Sequence, residues 1–223
     1  MRKFLIVAFL ALSNILQGAP AGAPFDYQVK DFSERLKDLP GFSPQLIDMH
    51  LKLYQGYVAN TNKLLLSISD MAKRGEDTTI AYGALKRRMG WEMDGMLLHE
   101  AYFENMGGRG SLDSNAALYR QIVNDFGSYS AWEQDFKATG LIRGIGWVIL
   151  YQDPKEGRLH NVWINEHATN HIAGGTPILV MDVWEHAYIT EYGLNRSGYI
   201  NAFFNVIDWN VVKNRFATPS PKR

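Results

Sequence analysis

The sequence predicts an α+β protein: an N-terminal helical hairpin, then a C-terminal domain with a three-stranded antiparallel sheet and helices. Three observations carry this. Two long stretches before residue 107 keep apolar residues at helical spacing. Gly107-Gly108-Arg109-Gly110 breaks that pattern. Beyond it, short apolar runs separated by turn residues replace it, which is the order of an α+β chain.

The 223-residue chain opens on Arg2-Lys3, an apolar stretch Phe4 to Leu12, and small residues Ala19-Pro20-Ala21-Gly22-Ala23. That is the order of a secretory signal peptide, here 1–21, with an A-x-A cleavage site after Ala21. The apolar stretch is too short for a permanent span, although an uncleaved anchor is the alternative. Export to the periplasm or outside the cell is expected, with no membrane contact after cleavage. No cysteine is present, which excludes thiolate metal sites and disulfides and suits an oxidising compartment. Lys and Arg total 23, as do Asp and Glu, and no basic run stands out, so nucleic acid is not expected as a partner.

Residues 25–110 form the expected helical hairpin domain. Asp31 to Leu39 reads as a short helix ended by Pro40-Gly41. Ser43 is a candidate N-cap with Pro44 in the first helical position. From there Leu46, Ile47, His50, Leu53, Tyr54, Tyr57 and Val58 run to about Ile68. Thr78 to Met106 is the second long helix. Residues 111–218 form the second domain. A helical pair, 115–126 and 130–137, precedes strands 146–151, 159–164 and 177–181, with a hairpin loop at Asp153–Gly157. Helices around 198–206 and 209–216 follow, and 219–223 is a Pro/Lys/Arg tail expected to be disordered.

The chemistry concentrates in Asp182-Val183-Trp184-Glu185-His186-Ala187-Tyr188. A strand delivers a carboxylate, and an imidazole follows four residues later, which makes half of a metal site. That ligand mix suits iron or manganese. His50 and His99, one on each long helix, are the candidates for the other half. His167 and His171 stand four apart and offer a rival zinc pair, but Gly and Pro follow closely and no further ligand sits nearby.

Several further strings carry a resemblance. They are His50 ahead of Tyr57-Val58-Ala59-Asn60-Thr61-Asn62, His99-Glu100-Ala101-Tyr102-Phe103, and Gly144-Ile145-Gly146-Trp147. Tyr192, Asn195, Arg196, Tyr199 and Asn205-Val206-Ile207-Asp208-Trp209 complete the set. Together with 182–188 they resemble the iron/manganese superoxide dismutases, in the right order over nearly all of the mature chain. The resemblance implies one iron or manganese per chain held by His50, His99, Asp182 and His186. It implies superoxide as substrate and a homodimer or dimer of dimers. Tyr57 would be the gate and proton relay, Trp147 and Trp184 would wall the site, and Glu185 would reach a ligand histidine across the dimer.

Three departures stand out. His50 and Tyr57 are seven residues apart, where the family uses eight, and seven steps return to nearly the same helix face. The glutamine that many members place against the metal-bound solvent is absent. Gly95 holds its helix position, and His167, fifteen residues before Asp182, is the chosen substitute, with His171 as rival. The histidine-rich run after the first ligand reads Lys52-Leu53-Tyr54, and Ile189 replaces an aromatic, so an apolar Leu53–Ile189 contact is expected at the dimer gate. Lys52 and Arg196 are candidates for steering an anion. A mononuclear iron oxygenase and a non-catalytic secreted dismutase-like binding protein remain the alternative functions.

Overall fold

The computed structural model describes residues 26–217, so the signal segment and the 219–223 tail lie outside the described residues. Helix α1 spans Pro44–Lys73 and α2 spans Ile80–Glu104. Ser43 caps α1 by accepting from the Leu46 N–H at 3.2 Å, and Thr79 caps α2 from Tyr82 at 3.2 Å. The buried stripe of α1 is Leu46, Ile47, His50, Tyr54, Val58, Thr61, Leu64 and Ile68, an i, i+3/i+4 row that packs against α2. Burial along α2 is confined to its second half, from Glu92 onward. The first half is exposed or half-buried.

Asp31–Leu39 does not form the expected helix. It is a run of turns with a single helical bond, Leu36 N–H to Phe32 O at 3.0 Å. Asp38 sits at φ 53, a left-handed conformation that stops propagation. The apolar spacing is real but serves anchoring: Phe32, Leu36 and Leu39 are buried. Arg35 donates at 3.0 Å to the carbonyls of Glu104 and Met106 and to Asp208.

Helices α3 (Ala117–Phe126) and α4 (Tyr129–Gly140) lead into strands β1 (Gly146–Gln152), β2 (Leu159–Asn165) and β3 (Thr176–Asp182). The sheet is antiparallel in the order β2-β1-β3, with Trp147 opposite both Ile164 and Asp182. The β1–β2 turn is fixed by Asp153, whose carboxylate accepts from the N–H groups of Lys155, Glu156 and Arg158. Gly146 opens β1 at φ 153, and a Cβ there would stand 1.9 Å from the Ile164 carbonyl oxygen, so only glycine fits. After β3 come a 3₁₀ turn (Glu185–Ala187), α5 (Ile189–Tyr192), α6 (Arg196–Asn205) and α7 (Trp209–Arg215). No described helix is long and apolar enough to cross a membrane.

One apolar core runs from the α1–α2 pair through the sheet to α4 and α6. One device fixes the sheet to the end of α2, and another fixes the helix pair. Asn105, fully buried, donates to the carbonyls of Tyr102 (2.8 Å) and Val180 (3.1 Å), and its oxygen accepts the Val180 N–H at 2.8 Å. It therefore satisfies the open edge of β3, the strand that ends in Asp182. Phe103 fills the space between the helices and touches Phe32, Tyr54, His50 and His99; its truncation to Ala would cost about 3–5 kcal/mol.

Candidate metal centre

Four side chains from four elements meet in the core. His50 on α1, His99 on α2, Asp182 at the end of β3 and His186 in the 3₁₀ turn place one ligand atom each within 4.8 Å of one another. The Asp182 oxygen Oδ2 lies 3.1 Å from Nε2 of both His50 and His186, and 3.7 Å from Nε2 of His99. Asp182 cannot turn away. Its Oδ1 accepts the Trp184 N–H at 2.8 Å, and its backbone carbonyl accepts from Tyr199 at 2.6 Å.

The orientation of His99 follows from its partners. Nδ1 faces the Gly95 carbonyl at 2.5 Å, and a carbonyl can only accept, so Nδ1 carries the hydrogen. Nε2 is then a bare lone pair, and it is buried with no hydrogen-bond partner. A cation is what satisfies such an atom. Burial holds the His50 and His99 rings below their usual pKa, which keeps them neutral. Burial opposes ionisation of Asp182 as well, but His186 and His50 outweigh it and hold the carboxyl far below its usual range. The neutral His50 and His99 nitrogens beside a carboxylate at zero exposure leave room for a positive ion, and the donor set fits iron or manganese.

Tyr57 lies about two turns beyond His50 on an unbroken α1, so the seven-residue spacing keeps both on the inner side. Its ring stacks on His99 at 5.2 Å, and its hydroxyl lies 2.7 Å from Nε2 of His167. Gly95 makes this possible. A Cβ there would be 2.5 Å from Tyr57 Cδ1, so the phenol ring occupies the space a side chain on α2 would need.

Of the two rival histidines, the structure brings His167 to the site. It is fully buried, stacks on Trp184 at 4.7 Å and meets the edge of Trp91 at 5.1 Å. The Trp147 indole donates to its Nδ1 at 3.1 Å. An indole N–H can only donate, so Nδ1 must accept, and the neutral ring carries its one hydrogen on Nε2. Burial pushes its pKa down to about 4, so the ring is neutral at pH 7. His167 therefore donates to the Tyr57 oxygen, and the Tyr57 proton is left to point elsewhere. Burial pushes the Tyr57 phenol up to about 12, so it keeps that proton.

His171 stands behind His167. Its Nε2 donates to the His167 carbonyl at 2.7 Å, its Nδ1 takes the Tyr151 hydroxyl at 2.7 Å, and Asp94 lies 3.7 Å away. The zinc pair is not formed, because the His171 nitrogen facing His167 is spent on its backbone. Trp91 was not legible as a site residue. Its only sequence signal is its place eight residues before His99 on α2. Glu185 is exposed beside His186, as are Leu53 and Ile189.

Residues 114–215 match the family described as iron/manganese superoxide dismutases, C-terminal domain. An iron superoxide dismutase of Cupriavidus metallidurans is 37% identical over 194 residues, covering 86% of this chain and 96% of that protein. The chain belongs to the iron/manganese superoxide dismutase family. A manganese superoxide dismutase of Haloferax volcanii is 35% identical over 178 residues, 79% of this chain and 88% of its own. An iron superoxide dismutase of Saccharolobus solfataricus is 34% identical over 182 residues, 79% and 86% respectively. Iron- and manganese-named relatives thus stand at similar distances, and either metal fits the cluster.

Proposed function

We propose that the chain disproportionates superoxide at the His50, His99, Asp182 and His186 cluster. The observation that carries this is the convergence of those four ligand atoms within 4.8 Å, beside the Tyr57–His167 pair. A bound iron or manganese would supply the one-electron redox step. Two superoxides and two protons give dioxygen and hydrogen peroxide, so the protein must deliver protons into a dry site. Tyr57 is the donor: it keeps its proton, and His167 already fills one acceptor position on its oxygen. Trp147 fixes the direction of that bond, and Trp147, Trp184 and Trp91 exclude bulk water around it.

The relatives that the chain matches are iron and manganese superoxide dismutases, which disfavours an oxygenase. The assembled ligand set disfavours a non-catalytic binding protein. Export through the 1–21 segment is part of the proposal, supported by its basic–apolar–small order and by the absence of cysteine. So is a homodimer: Met49, Leu53 and Ile189 expose apolar surface, and the exposed Glu185 would cross to the second copy. Mass measurement of the exported protein tests the cleavage, and sedimentation tests the dimer. Assay of iron- and manganese-loaded protein tests the activity, and no disproportionation with either metal would refute it.

A further inference from the structure

Superoxide is an anion, yet the chain carries equal numbers of acidic and basic side chains. Any guidance toward the metal centre has to be local. Of the two cations expected to supply it, Arg196 is committed elsewhere. Arg196 gives its guanidinium to the carbonyls of Ile142 (3.1 Å), Gly144 (3.1 Å) and Val183 (2.9 Å), against the rings of Trp163 and Tyr188. It fixes the β3 exit. Lys52 is an exposed α1 side chain that makes no hydrogen bond or ion pair among the described residues.

A different cation stands at the site. Arg88 on α2 lies 4.8 Å over the Trp91 ring, and Trp91 meets His167 at 5.1 Å and Trp184 at 6.0 Å. The guanidinium therefore caps the aromatic wall, within about one Debye length of His167 at 0.1 M salt. It is held in place one helical turn away by Glu92, at 2.8 Å from Nε and 2.7 Å from Nη2. The two ends of this pair face differently. The Arg88 side chain is 53% exposed, whereas that of Glu92 is 7% exposed, with Oε2 buried and unpartnered. An approaching anion meets the positive end first, and the negative end is screened behind it.

We propose that Arg88, held by Trp91 and Glu92, is the residue that guides superoxide to the metal centre. The inference rests on the reading of this site as one that turns over superoxide. The charge of Arg88 reaches both inner groups: it lowers the proton affinity of His167 and of Tyr57, and Glu92 acts on Tyr57 in the opposite sense.

The test is the second-order rate constant for superoxide, measured on metal-loaded wild type, Arg88→Gln and Arg88→Lys between low salt and about 0.3 M. The on-rate of azide, a small unreactive anion, is followed in parallel. Arg88→Gln should lower both constants severalfold at low salt. The gap should close at high salt, and Arg88→Lys should restore most of the rate. Wild-type rates and salt dependence in Arg88→Gln would overturn the proposal. A loss that persists at high salt and is not rescued by lysine would also overturn it, because that is a packing effect. Arg88-dependent azide binding without any superoxide turnover in wild type would instead overturn the functional reading and keep the anion guide.

Discussion

Gly95→Ala tests the placement of Tyr57 against the metal centre. The added Cβ would stand 2.5 Å from Cδ1 and 2.6 Å from Cε1 of the Tyr57 ring, where ordinary contact begins about 1 Å further out. Position 95 is buried mid-helix, so α2 cannot shift without moving His99 four residues on. The ring must tilt instead, and the 2.7 Å bond to His167 is the contact that breaks. Overpacking costs about 1–3 kcal/mol, and the lost hydrogen bond adds about 1 kcal/mol. A small offset comes from alanine's better helix propensity. The net of about 1–3 kcal/mol should lower Tm by roughly 2–12 °C for a chain of this size. Calorimetry on the metal-free protein reads the stability, and the turnover assay reads the displaced proton donor. A variant with wild-type Tm and wild-type turnover would refute the reasoning, because Tyr57 would not then fill that space.

Other outcomes follow from the same contacts. Tyr57→Phe should keep full metal content by elemental analysis but lower turnover by about 100-fold or more, the usual scale for a lost proton donor; unchanged turnover would remove Tyr57 from the proton path. His167 should make the metal-free protein acid-sensitive. Its folded pKa of about 4 lies below the ordinary 6.5, so the unfolded chain takes up the proton first as pH falls. Stability is fully present above pH 6.5, falls between 6.5 and about 4, and is flat below, for a loss of about 3 kcal/mol. Denaturant melts from pH 7 to 4 should show this drop shrinking in His167→Gln, and an equal drop in both proteins would assign it elsewhere. Asn105→Ala should cost about 2–4 kcal/mol, because it strips the buried Val180 edge and two carbonyls of their partners; thermal melts with metal-release detection check whether β3 loosens as the fold weakens.

Much of the site was legible because its parts are local. The string 182–188 carries a strand end, a carboxylate and a histidine in one stretch, and the structure keeps them in contact. The two long helices announced themselves through Ser43-Pro44 and the apolar spacing, and the strands through short runs bounded by glycine. The Asp31–Leu39 segment misled because its apolar spacing fits a helix, while its structure is decided by distant partners of Arg35. The choice between His167 and His171 was not local either. It depends on which ring Trp147 and Tyr57 reach, and β1 and α1 decide that. Arg88 and Trp91 went unread for a similar reason. Their spacing gives a helix-surface ion pair and a cation–ring contact, and only the fold brings the 166–170 loop against them. Arg196 shows the converse, a charge whose role is to bond three carbonyls.

The most direct test of the account is metal content on the purified protein, paired with superoxide turnover of iron- and manganese-loaded samples and of His99→Ala. The account predicts one iron or manganese per chain, turnover with at least one of them, and loss of both in His99→Ala, whose Nε2 has no other partner. A protein that binds neither metal, or a His99→Ala variant that still binds one per chain and turns over superoxide, would contradict it.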